Sequence, residues 1–190
     1  MKKRLLVWET SGVLFIAVFG TSLHFAFELS NFWKPVAMIA AVNESTWEHL
    51  KLVFWPGLFF SLFEYNFLKE WLANFWIAKL SSLLIMPLVI ALGWYGVVAI
   101  FGENIFATNI ALFIAAIILG QWVSYQIMIS NRFTAIGQQA AIVDIMLLTF
   151  AFGLFTFFPP KIFLFEHIDL MNTGEYGILD NYEDLQIIQR

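Results

Sequence analysis

The sequence predicts an all-α fold: a polytopic integral membrane bundle of about five transmembrane helices, with a short interfacial or re-entrant segment after the first. Three observations carry this. Of 190 residues, 61% are hydrophobic, against roughly 45–50% in an average soluble domain. Charged residues make up 13%, about half the usual ~25%. The apolar residues gather in runs of about 20, the length that crosses a bilayer core. A soluble domain of this size cannot hide so much apolar surface, and a chain this apolar does not stay disordered.

The elements follow in order. The first helix, about residues 5–27, comes after a basic start, Lys2-Lys3-Arg4. It reads as a retained helix and not as a cleavable leader, because Glu9 and Thr10 interrupt the apolar stretch and no small-x-small site follows. Asn31 to Ala41 holds Phe32, Trp33, Pro35 and Met38 and is too short to span, hence the interfacial or re-entrant reading. Ser45 followed by Glu48 is a capping-box pattern that starts the second helix, which spans about 50–68. The third covers about 75–101 and the fourth about 105–129. The fifth, about 135–158, stops at Pro159-Pro160, where two prolines cannot continue a helix. Pro56-Gly57 and Pro87 mark kinks, and Gly93 and Gly96 allow close helix contact. Residues 1–158 thus form a transmembrane helical domain. Residues 159–190 form an acidic extramembrane tail, with Glu166, Asp169, Glu175, Asp180, Glu183 and Asp184 against Lys161 and Arg190. Asn172-Thr173-Gly174 reads as a turn within it.

Lysine and arginine positions set the orientation in a multi-pass cell-membrane protein. A cytoplasmic N-terminus places Lys2, Lys3, Arg4, Lys69 and Arg132 inside. Lys34, Lys51, Lys161 and Arg190 then lie outside, with an extracellular tail. Trp8, Tyr65, Trp71, Trp76, Trp122 and Tyr125 fall at the inner interface, and Trp33, Trp47, Trp94 and Tyr95 at the outer one. The lipid bilayer is therefore the expected partner. A net charge of −4 gives no basic footprint for nucleic acid. The absence of cysteine excludes thiolate metal sites and thiol nucleophiles.

Charged groups are costly in hydrocarbon, roughly 2.5–3.5 kcal/mol each at a helix centre. Those present should face the interior or a wet cavity. An outer group contains His24 and Glu28, four apart on the first helix. Asn43, Glu44, Glu48, His49 and Lys51 lie at the start of the second. His167, Glu166 and Asp169 of the tail are placed to cover it. Two imidazoles and nearby carboxylates are competent ligands for a divalent metal, with His24, Glu44 and His49 as the set. The same residues also have a purely structural reading: Glu48 caps the helix, Glu28 pairs with Lys51, and the histidines sit in a polar interface. An inner group, Glu9, Glu64 and Lys79, reads as a structural ion pair, with an inner gate or proton relay as the alternative. Asp144 falls near the midplane of the fifth helix. It is either a functional carboxylate or one hydrogen-bonded to Asn109, Gln121 or Ser124.

Val42-Asn43-Glu44-Ser45-Thr46-Trp47-Glu48-His49-Leu50-Lys51 resembles the signature of a family of small multi-pass bacterial membrane proteins of unknown function. Leu23-His24-Phe25, Ser124-Tyr125, Phe157-Phe158-Pro159-Pro160 and Tyr176-Gly177 extend the resemblance over most of the chain. It implies a membrane location and an important segment, and no reaction.

Three functions stay open on the residues. The first is ion or small-molecule binding or transport through the outer site, with Asp144 as a midplane step and a homo-oligomer building the path. The second is a membrane-embedded metal-dependent hydrolase, with Glu48 as general base. The third is a non-catalytic accessory subunit.

Overall fold

The structure, a computed structural model, describes residues 2–70, 72–103, 105–130, 135–167 and 176–178. The sequence readings at Trp71, Arg132, Asp169, Asn172 to Glu175, Asp180, Glu183, Asp184 and Arg190 lie outside these residues. The described residues form six helices and no strand. They are α1 (Lys2–Leu29), α2 (Lys34–Ala37), α3 (Thr46–Leu68), α4 (Phe75–Phe101), α5 (Phe106–Met128) and α6 (Ala135–Phe157), followed by a 3-10 turn, Phe163–Phe165. Two isolated antiparallel bridges, Ser45 with His167 and Glu166 with Tyr176, fasten the segment after α6.

The packing order is cyclic. α1 lies against α3, α3 against α4, α4 against α5, and α5 returns to α1. This ring of four encloses a dry middle layer of Ile16, Val53, Phe54, Leu83, Met86 and Ile117, one or two residues from each helix. α6 stands outside the ring, packed on α4.

Four helices are long and apolar enough to cross a membrane: α1, α4, α5 and the Gly137–Phe157 part of α6. The sequence reading expected a fifth in α3. At 23 residues, α3 is roughly 35 Å long and reaches far enough, but it carries Glu48, Lys51 and Glu64. The bundle hides these groups, and every residue from Leu50 to Leu58 is buried. The first half of α3 is thus enclosed and needs no polar face, while Phe59, Leu62, Phe63 and Phe67 of its second half are exposed.

Local chemistry explains the ends. Asn31 takes a left-handed backbone (φ 56°) just past α1, a conformation asparagine tolerates at a helix C-terminus. Ser45 caps α3, its hydroxyl accepting from the Glu48 amide at 3.3 Å. Only half of the capping box forms, because Asn43 Oδ1 takes the Ser45 amide at 2.8 Å and frees the Glu48 carboxylate for other partners. The segment between α1 and α3 folds back onto the bundle through the single helical turn of α2, with Ala37 and Ala40 fully buried. α3 continues through Pro56, and α4 through Pro87.

Close approach falls at four glycines, Gly12, Gly20, Gly93 and Gly120, and only at Gly20 is the nearest atom backbone. A Cβ at Gly20 would collide with the Leu52 carbonyl oxygen of α3, and one at Gly93 with the Leu112 side chain of α5. Gly96, expected to serve the same purpose, has nothing within 4 Å of its Cβ direction. Backbone cannot yield as a side chain can. Gly20→Ala should therefore lower stability by about 1–3 kcal/mol, while Gly96→Ala leaves it unchanged or raised, as read by thermal unfolding in detergent.

Candidate metal centre

The outer end of the bundle is organised by a buried ion pair. Lys51 is 0% exposed. Its ammonium donates to Glu48 Oε2 at 2.5 Å, the Ala37 carbonyl at 2.8 Å and Thr156 Oγ1 at 2.9 Å. An ammonium has three N–H donors, and all three are used. Glu48 is satisfied in turn: Oε2 accepts the Val42 amide at 3.1 Å, and Oε1 accepts the Thr156 hydroxyl at 3.2 Å. The pair thus ties α3 to the α2 segment and to α6. The expected Glu28–Lys51 pair does not form, and Glu28 is exposed. Glu48 and Lys51 were both read as binding residues. Their side chains are engaged in holding the fold together, Glu48 with Lys51, Val42 and Thr156.

Glu44, next to this anchor and facing the other way, completes a trio with the two imidazoles. Its Oε2 lies 3.3 Å from His49 Nε2, and its Oε1 lies 3.9 Å from His24 Nε2. The two rings are 5.4 Å apart between centroids. One donor atom from each residue lies within 4.8 Å of the others, and all three side chains are half-buried. α1 contributes His24 near its outer end, the loop contributes Glu44, and the first turn of α3 contributes His49. His49 Nδ1 lies 2.9 Å from the Ser45 carbonyl, four residues earlier. That bond needs a proton on Nδ1 and leaves Nε2 to face Glu44, where it donates to the carboxylate when the ring is protonated and offers a lone pair to a metal ion when it is not. The hydrogen bond with His49 holds the Glu44 carboxyl below the usual carboxylate range; burial acts in the opposite sense, and the imidazoles of His49, His24 and His167 lower it further. Glu44 is therefore ionised at neutral pH. Its stabilising contribution is present above the ordinary carboxylate range and is lost as pH falls through the lowered folded value.

The segment after α6 covers this end. His167 lies opposite Ser45 in the antiparallel bridge, and its Nδ1 is buried without a hydrogen-bond partner among the described residues. Asn43, read as a binding residue, is spent on the backbone: its amide donates to the Gly177 carbonyl at 2.7 Å. Trp47 is sandwiched between Phe152 of α6 (4.5 Å) and Phe165 of the 3-10 turn (4.6 Å).

These positions account for each residue of the Asn43-Glu44-Ser45-x-Trp47-Glu48-His49 stretch, and they are the ground for a comparison with known proteins. A family model described as "Family of unknown function (DUF6512)" matches residues 1–178. The chain belongs to that family. No curated protein and no solved structure matches it. DUF6512 brings no reaction with it, so the chemistry of this member is read from its own side chains.

Asp144 does not join the outer group, nor does it bond to Asn109, Gln121 or Ser124 as one reading expected. It is exposed. The buried residues of α6 are Ala141, Ile145, Phe152, Gly153 and Thr156, and Asp144 lies roughly 100° round the helix from the middle of that face. Because α6 stands outside the ring, Asp144 has no access to its interior. Thr156 was missed by sequence reasoning. Its only signal is a lone hydroxyl in the run Phe155-Thr156-Phe157-Phe158.

The anchor is testable by charge balance. Lys51→Met should cost roughly 3–5 kcal/mol by stranding a buried carboxylate, and adding Glu48→Gln should recover much of that loss. Chemical unfolding of the three proteins in the same detergent measures both steps.

Proposed function

We propose that this protein is an integral membrane protein that binds a divalent metal ion of the zinc class at its outer face, through His24, Glu44 and His49. The carrying observation is the trio itself: three donor atoms within 4.8 Å of one another, with His49 Nδ1 engaged by the Ser45 carbonyl so that Nε2 faces Glu44. Two imidazoles and a carboxylate are ligands that zinc accepts at about 2.0–2.2 Å, leaving a fourth position open. Small rotations of half-exposed side chains close the remaining distance. The N-terminus is cytoplasmic in this reading, α3 crosses with the four apolar helices, and the metal lies on the extracellular side beneath residues 163–167 and 176–178.

Binding is favoured over passage through the bundle. Ile16, Val53, Phe54, Leu83, Met86 and Ile117 close the middle of the ring, and Asp144 lies outside it. Binding is also favoured over hydrolysis by a Glu48 base, since Glu48 is engaged with Lys51, Val42 and Thr156.

Isothermal titration of the full chain with zinc, in lipid nanodiscs, tests this. One ion per chain is expected at neutral pH, with affinity lowered by about tenfold or more in His24→Ala, His49→Ala and Glu44→Gln. These variants remain folded, because none of the three groups is in the core. Wild-type affinity in all three variants, or no uptake by the parent, ends the reading. Uptake should also weaken as pH is lowered through the imidazole range, where protons compete for ring nitrogen.

A further inference from the structure

At the opposite end of the ring lies a second cluster with a different deficiency. Lys79 of α4 sits between two glutamates, 2.7 Å from Glu9 Oε1 on α1 and 2.6 Å from Glu64 Oε2 on α3. Ser124 of α5 donates to Glu9 Oε1 at 3.0 Å. Each of the four ring helices thus supplies one side chain, and all four are buried. The formal count is two carboxylates against one ammonium. Glu9 lies fifteen residues before His24 on α1, and Glu64 fifteen after His49 on α3, so about 22 Å separates this cluster from the outer trio. Leu5, Leu68, Phe75, Ala78 and Met128 seal it from the near end of the bundle.

The hydrogen bonding is unbalanced in the same sense as the charge. Glu9 Oε2 and Glu64 Oε1 are buried without a donor. So is Oε1 of Gln121, a residue 3% exposed and one turn from Ser124 on the same face of α5. That amide oxygen lies 3.1 Å from the Cβ direction of Gly12, one turn from Glu9 on the buried face of α1. It is therefore aimed at the seam that holds the Glu9 carboxyl. Three acceptor atoms lack donors, and the cluster carries one surplus negative charge. An uncompensated buried charge costs several kcal/mol. A metal cation is a poor remedy, because the Lys79 ammonium already occupies the point between the carboxylates and repels a second cation. A proton supplies both the missing charge and the missing donor.

We infer that the Glu9–Glu64–Lys79 cluster is a proton-binding site that holds one proton per chain at neutral pH, as a neutral carboxyl shared between its two glutamates. The proton is taken from water and converts one carboxylate to a carboxylic acid, leaving the other paired with Lys79. The charged groups facing the site are Glu9 from α1, Glu64 from α3 and Lys79 from α4; α5 brings the neutral Ser124 and Gln121. The site is independent of the outer metal.

Infrared difference spectroscopy of the full chain in nanodiscs, each variant subtracted from the parent, reads this directly, in an Asp144→Asn background that removes the carboxyl on the exposed face of α6; the buried Glu48 carboxyl, paired with Lys51, is common to all the proteins and cancels. The parent should show a protonated-carboxyl C=O band worth one group per chain at neutral pH. Glu9→Gln and Glu64→Gln should each remove the band, because one carboxylate and one ammonium then balance. Both variants should keep the parent's thermal midpoint, whereas the double variant, with Lys79 unpaired, should lose it. Absence of the band in the parent overturns the inference, and so does its persistence in either single variant.

Discussion

The ammonium of Lys51 is the constraint from which the outer half of the molecule follows. Buried in an apolar bundle, it needs three acceptors, and it finds them on three separate parts of the chain: Glu48 of α3, the carbonyl of Ala37 and the hydroxyl of Thr156. This draws the α2 segment down onto α3 and fixes the last turns of α6 beside them. The loop from Ala37 to Ser45 then has little freedom, and Glu44 comes to rest between two imidazoles. A buried ion pair often adds little net stability compared with a well-packed apolar pair. Here its value is positional, since no apolar side chain could collect three backbone and side-chain groups at one point.

The polar chemistry is divided between the two ends of α3. Both clusters use a lysine held by glutamate, yet they differ in balance. Around Lys51, donors and acceptors match and the carboxylate is fully engaged, so the pair is inert. Around Lys79, acceptors exceed donors. The six apolar side chains between them offer no polar group to link the clusters, and distance along α3 sets them apart, so each end has its own chemistry. The close contact of Gly20 with the Leu52 carbonyl presses α1 onto α3 between the two, and the same pair of helices carries residues of both sites.

Much of this was legible in the sequence. Apolar runs located the long helices, because a chain with so few charges has few ways to bury them. The His24, Glu44 and His49 set was read from residue chemistry alone, and the structure brings those three side chains together. The assignment of tasks within the motif was less visible. Spacing places Glu48, His49 and Lys51 in one helical turn but does not say which faces the solvent-lined recess. That depended on Thr156, over a hundred residues away, and on the Ala37 carbonyl, which leaves no trace in side-chain pattern. Depth along α6 places Asp144 near mid-helix but does not say which way it faces, and it is exposed. Its direction was set by α6 standing outside the ring, a matter of helix order that one sequence does not disclose. Gly96 failed as a contact for a similar reason: its face of α4 meets nothing.

Ser45 commits every polar group it has. Its hydroxyl caps α3, its amide is held by Asn43, its carbonyl takes the His49 ring, and its backbone runs beside His167. One residue is therefore shared by a helix start, an imidazole and the extended arm that follows α6. Its backbone cannot shift for one of them without disturbing the others, so the His49 ring and the arm are held in register through Ser45.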